Sequence, residues 1–165
     1  MPRIGLISDT HSLLRLEAKA FLRGCDAIVH GGDIGHAGIL EELATLAPVT
    51  AVRGNNDSGA WAAHIRDTEL VELCGLHVYA LHDLAQLDID AAAAKVRVVV
   101  SGHSHKPRIE THDGVLYINP GSAGPRRFTL PIAAGELIIQ HGTLSARIVD
   151  LQDARCATLL STFST

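Results

Sequence analysis

Five short stretches of the chain carry side chains able to bind a metal ion, and each follows an apolar run. They are Asp9-Thr10-His11, Gly31-Gly32-Asp33, Gly54-Asn55-Asn56-Asp57, His82-Asp83 and Gly102-His103-Ser104-His105. Carboxylate, carboxamide and imidazole donors without a thiolate suit manganese, iron, nickel or zinc. In extended backbone, residues i and i+2 point the same way, so Asp9 and His11 are expected to reach one ion, and His103 and His105 likewise. A glycine ahead of Asp33, Asn55 and His103 lets the backbone turn sharply and approach an ion closely. A single D-x-H or a lone histidine arises often by chance. Several such pieces in order, each at the end of an apolar run, form a far more specific signal.

The runs that precede these pieces read as strands. Residues 3–8, 26–30 and 49–53 alternate with helical spacing over 13–22 and 38–46, and the order β-α-β-α-β implies parallel strands with right-handed crossovers. In open α/β sheets the carboxyl ends of parallel strands line the ligand crevice. The second half is richer in strands, at 68–73, 76–81, 96–101, 108–112, 115–119, 136–140 and 144–150. Asp113-Gly114 is a strong two-residue hairpin signal. Ala91 to Ala94 reads as a short helix capped by Asp90, and residues 151–165 carry no clear pattern. This strand count fits an α/β fold with two sheets packed face to face.

Bulk composition narrows the classes. At 165 residues, 47% hydrophobic and 19% charged, the chain is an ordinary globular one with room for a sizeable core. Its net charge of −4 and the lack of any basic run beyond Arg126-Arg127 count against nucleic acid as partner. Cys25, Cys74 and Cys156 are odd in number and far apart, which excludes a disulfide or zinc-finger framework and reads as buried small hydrophobes. Apolar runs such as Val96 to Val100 are too short to span a bilayer, and Met1-Pro2-Arg3 leads straight into the first strand. A cytoplasmic protein without a membrane partner is expected.

The order D-x-H, G-D, G-N-x-D, H, G-H-x-H resembles the calcineurin-like metallophosphoesterase superfamily. The small size, with HGGDI at 30–34, GHSH at 102–105 and NPGS at 119–122, resembles its compact prokaryotic phosphodiesterase branch; the match runs from residue 4 to about 127. The resemblance implies a four-layer α/β/β/α sandwich, two mixed β-sheets flanked by helices, as one domain over residues 1–165. It implies that Asp9, His11 and His105 bind one metal, that Asn55, His82 and His103 bind a second, and that Asp33 bridges both. Manganese is the favoured ion, with iron, nickel or zinc also suited. Two divalent ions against Asp9, Asp33 and a bridging hydroxide leave a formal charge of about +1, which draws a phosphate ester despite the acidic chain. The implied reaction is attack of that hydroxide on a small phosphodiester, or a phosphomonoester, with no covalent enzyme intermediate. Homo-oligomers are compatible with small members of the family.

Some positions depart from the family pattern or remain open. Asn56 stands where many larger relatives carry a histidine that contacts the phosphoryl group or protonates the leaving oxygen. With His103 it is a candidate catalytic residue, and with Arg126 a candidate substrate contact; the plain alternatives are a turn residue and an exposed basic pair. Asparagine donates a hydrogen bond but not a proton, so good leaving groups are expected to react best. Asp83 replaces a common glycine and reads either as a partner orienting His82 or, better, as the cap of a short turn. Asp57 and the NPGS turn read as supports, and His30 as hydrogen-bonded core. The competing reading of the whole chain is a catalytically inactive interaction scaffold of the same fold. Such scaffolds are expected to lose ligands, whereas here all the expected positions hold suitable residues.

Overall fold

The structure, a computed structural model, describes residues 1–153 and 159–165. Cys156 therefore lies outside the described residues. The first half follows the expected alternation, with β1 (Arg3–Ile7), α1 (Leu16–Leu22), β2 (Ala27–His30), α2 (Ala37–Ala44) and β3 (Val49–Ala51). Then come β4 (Thr68–Leu73), β5 (Leu76–Leu81), β6 (Val98–Val100), β7 (Arg108–His112), β8 (Val115–Asn119), β9 (Ala133–Gln140), β10 (Thr143–Asp150) and β11 (Leu159–Ser164). Three hairpins turn on two residues of positive φ, Cys74-Gly75, Asp113-Gly114 and His141-Gly142, the pattern whose twist matches that of the strands. That turn leaves Cys74 exposed, contrary to expectation, while Cys25 is buried.

Two mixed sheets result. One runs β11-β10-β9-β1-β2-β3 and the other β4-β5-β6-β8-β7. β1, β2 and β3 are parallel, as are β5 and β6. Strand alternation divides the core. Ile4, Leu6 and Val29 of the first sheet pack on Val78, Val98, Val100 and Ile118 of the second. On the outer face of the first sheet, Ile7 and Ile28 pack under Phe21 and Leu22 of α1 and Leu43 of α2. Gly5 makes this close approach work, since a Cβ there would run into the Leu22 side chain. Each such side chain, fully buried, stabilises the fold by about 1.5–3 kcal/mol.

The outer face of the second sheet is covered differently. Tyr79, Leu81, Val99 and Val115 lie beneath Leu87, Ile89, Ala91 and Val96. Residues 91–95 form turns rather than the expected helix. Asp90 caps them, its carbonyl accepting from Ala94 at 2.9 Å and its Oδ1 from Ala93 at 3.0 Å. Lys95 at φ 58° closes the segment before a helix can propagate. No helix among the described residues is long and apolar enough to cross a membrane.

Candidate metal centre

The loops that leave β1, β2 and β3 are tied to one another before any side chain is considered. Backbone N–H groups of Asp9, His11 and Ser12 donate to the carbonyls of Gly32, Asp33 and Ile34, each at 2.9 Å. The buried carboxylate of Asp57 fastens the next loop. Its Oδ1 accepts from Ile34 at 2.8 Å and Gly35 at 3.0 Å, and its Oδ2 from Gly54 at 2.8 Å. Asn119 holds the loop after β6, its Nδ2 donating to the Gly102 carbonyl at 2.7 Å, and the Ser122 hydroxyl donates to the Asp9 carbonyl at 3.0 Å. Asp57 and the NPGS turn are thus structural ties, as their sequence suggests.

These ties bring the donors to one place. Asp9 Oδ1 lies 3.2 Å from His105 Nε2 and 3.8 Å from His11 Nε2. Asp33 Oδ2 lies 3.7 Å from His11 Nε2 and 3.4 Å from His82 Nε2, so one oxygen faces both sides of the cluster. Asn55 Oδ1 lies 3.0 Å from His82 Nε2 and 3.1 Å from His103 Nδ1. Donor atoms of Asp9, His11 and His105 all fall within 4.8 Å of one another, as do those of Asp9, Asp33 and His82. The second group is buried throughout and the first includes the half-buried His11, while Asn55 and His103 stand exposed at the edge of a cleft of about 700 Å³.

The backbone at these positions differs from the extended form that the i, i+2 spacing implies. Asp9, His11, Asp33, His103 and His105 are not extended; their φ angles run from 43° to 67°. Such left-handed backbone is unusual away from glycine and gathers at functional sites. His103 and His105 consequently part, His105 toward Asp9 and His103 toward Asn55, whereas simple alternation would aim both the same way.

The donor set fits a divalent cation. Asp9 is fully buried; its Oδ2 accepts from the Ser8 hydroxyl at 2.7 Å and the His103 N–H at 3.1 Å, while Oδ1 has no hydrogen-bond partner. A buried carboxylate oxygen without a partner is costly unless something positive meets it. His82 Nδ1 donates to the Gly31 carbonyl at 2.7 Å, which leaves Nε2 to face the cluster. Burial acts to raise the Asp33 pKa, but hydrogen bonds from His82 and Asn56 outweigh it and hold the carboxyl below the usual range. Burial acts to lower that of His82, and the hydrogen bonds with Asp33 and the Gly31 carbonyl outweigh it in turn. Both shifts show a site that favours positive charge.

The remaining candidates sit as follows. Asn56 is exposed and folds onto Asp33, donating from its backbone to Oδ1 at 2.9 Å and from Nδ2 to Oδ2 at 2.8 Å. Arg126 is exposed and donates to Gln152, with no contact to the cluster. His30 is fully buried between Thr10 and Gly32. Sequence reading missed Ser8, whose hydroxyl reserves one oxygen of Asp9; its place immediately before D-x-H was the available signal. It also missed Arg53, which lines the cleft and pairs with Asp67 at 2.8 Å.

A model of the calcineurin-like phosphoesterase superfamily domain matches residues 2–153, and the chain belongs to that family. A protein of Methanothermobacter thermautotrophicus named "Probable metallophosphoesterase" is 35% identical over 94% of this chain and 96% of its own. A phosphodiesterase of Methanocaldococcus jannaschii is 30% identical over 72% of this chain and 82% of its own. The fold is also that of Vps29 from Entamoeba histolytica, solved as a zinc complex, with a TM-score of 0.75, 20% identity and coverage of 99% and 98%.

Proposed function

We propose that the protein is a dinuclear metal-dependent phosphoesterase whose preferred substrates are small phosphodiesters, with phosphomonoesters a second class. Asp9, His11 and His105 would hold one divalent cation and Asn55, His82 and His103 the other, with Asp33 shared by both. The observation that carries this reading is the unpartnered, fully buried Asp9 Oδ1 facing imidazole nitrogens of His105 and His11. Manganese is the expected ion, with iron, nickel or zinc accommodated by the same donors.

Bound divalent cations supply a water of lowered pKa and positive charge for the phosphoryl oxygens. The chain's own part is to place and orient. Ser8 and the His103 N–H occupy Asp9 Oδ2 and aim Oδ1 inward. The Gly31 carbonyl sets the tautomer of His82. Asn56, exposed beside the cluster, offers an amide donor to the phosphoryl group but no proton for the leaving oxygen.

The test is to purify the protein, measure its bound metals, strip them, and assay bis(p-nitrophenyl) phosphate with Mn²⁺, Ni²⁺ or Zn²⁺ restored. Asp33→Ala and His103→Ala are run alongside, with a fall of about 100-fold or more expected for each. An absence of metal-dependent hydrolysis, or variants as active as the parent, would replace this reading with a non-catalytic scaffold.

A further inference from the structure

Asp83 divides its two carboxylate oxygens between two tasks. Oδ1 accepts the Ala85 N–H at 3.0 Å and starts the short turn Leu84–Gln86. Oδ2 points the other way, toward His103, and lies 4.0 Å from its Nε2. His103 in turn presents Nδ1 to Asn55 Oδ1 at 3.1 Å. The two nitrogens of this imidazole therefore face different partners, one the donor cluster and the other Asp83.

The neighbouring histidine shows what His103 lacks. His82 is buried, and its outer nitrogen is fixed on the Gly31 carbonyl at 2.7 Å. His103 is 47% exposed and rests edge-on against His82, with ring centroids 5.2 Å apart. A metal-binding histidine commonly needs an acceptor at its other N–H to fix tautomer and ring orientation. Asp83 is the carboxylate placed to serve. It does not face His82, the partner that sequence adjacency suggests.

We infer that Asp83 is a positioning residue for His103, keeping the ring proton on Nε2 so that Nδ1 is the free nitrogen beside Asn55. This rests on the metal-centre reading but not on any reaction. At 4.0 Å the contact is longer than a hydrogen bond, so the carboxylate acts through its charge on the Nε2–H dipole of the neutral ring rather than through its shape. The turn through Ala85 keeps that charge in place.

Because Asp83 also caps a turn, the experiment separates the two roles. Asp83→Asn and Asp83→Ser both keep an oxygen for the Ala85 N–H and remove the charge facing His103. Mn²⁺ is titrated into the metal-free parent and both variants by calorimetry, with thermal unfolding of each metal-free form recorded. The expected result is unchanged unfolding midpoints, one site at parental affinity, and a second site weakened about 10–100-fold. If both variants bind two Mn²⁺ ions as tightly as the parent, Asp83 is only a cap and the inference is overturned. A parent that takes up no Mn²⁺ is a different failure, visible before any variant is compared, and overturns the centre itself. A parent that binds two Mn²⁺ ions but hydrolyses no phosphodiester would count against the proposed reaction and leave this inference standing.

Discussion

Gly54 sits so close to Asp33 that a Cβ at residue 54 would collide with both the backbone nitrogen and Oδ1 of Asp33. Neither atom can yield, because Asp33 Oδ1 accepts from Asn56 and the adjoining Ile34 N–H is held by Asp57. Gly54→Ala is expected to destabilise the fold by about 3 kcal/mol and to abolish stoichiometric metal uptake. Urea unfolding together with elemental analysis reads both effects. A variant of parental stability would show that the two loops have room to separate.

Asp57 gathers the backbone N–H groups of Ile34, Gly35 and Gly54 on one carboxylate. Removing it leaves the buried donors of Ile34 and Gly54 without an acceptor, at about 1–3 kcal/mol each. Asp57→Ala is expected to lose about 3–5 kcal/mol in denaturant unfolding of the metal-free protein, and Asp57→Asn less. Equal stabilities for parent and alanine variant would show that water replaces the carboxylate.

His30 gives stability a pH dependence. The Thr10 hydroxyl donates to the Ile34 carbonyl at 2.8 Å, so His30 Nε2–H donates to that hydroxyl, and Nδ1 accepts from the Gly32 N–H at 3.1 Å. Burial, first of all, lowers its pKa from 6.5 to about 4. The unfolded chain therefore takes up a proton near pH 6.5 that the folded chain refuses until about pH 4. Stability is intact above that window and falls as pH drops through it, by up to about 3 kcal/mol. Unfolding of the parent and His30→Gln from pH 7 to 4.5, in chelator, isolates the effect; identical pH profiles would refute it.

Asn56 sets a limit on leaving groups. A general acid contributes typically about 10²–10⁴-fold, and asparagine cannot supply that proton. The parent is expected to cleave nitrophenyl esters much faster than alkyl esters, and Asn56→His to narrow the ratio by at least about tenfold. Rates on matched aryl and alkyl phosphodiesters decide it. Equal rates in the parent would place a proton donor elsewhere in the cleft.

How much of this was legible in the sequence differs by element. The strands whose ends carry Asp9, Asp33, His82 and His103 were readable because apolar runs stop abruptly at glycine or at a metal-binding side chain. The two-residue hairpins at Cys74-Gly75 and Asp113-Gly114 carried their own turn chemistry. β11 was not readable, since Leu159–Ser164 has no alternation and gains its place only by pairing with β10. The Ala91–Ala94 helix was overread, because alanine propensity says nothing about Lys95 ending the segment. At the site, residue types were visible but backbone shape was not. Left-handed φ at five non-glycine positions is imposed by loops held against each other, which no local pattern reports.

The seven residues of the proposed centre come from both sheets, with Asp9, His11, Asp33 and Asn55 beyond strands of the first and His82, His103 and His105 beyond strands of the second. Anything bound among them is therefore a rivet through the open end of the sandwich. The layers below are joined by apolar contact, which tolerates small sliding, whereas coordination fixes distance and angle. Withdrawing the ions should let this end gape while the hairpin end stays shut. Amide exchange would then quicken in the loops after β1, β2, β5 and β6 and remain slow through the hairpin turns, so the proposed centre would serve as a mechanical fastener as well as a place for chemistry.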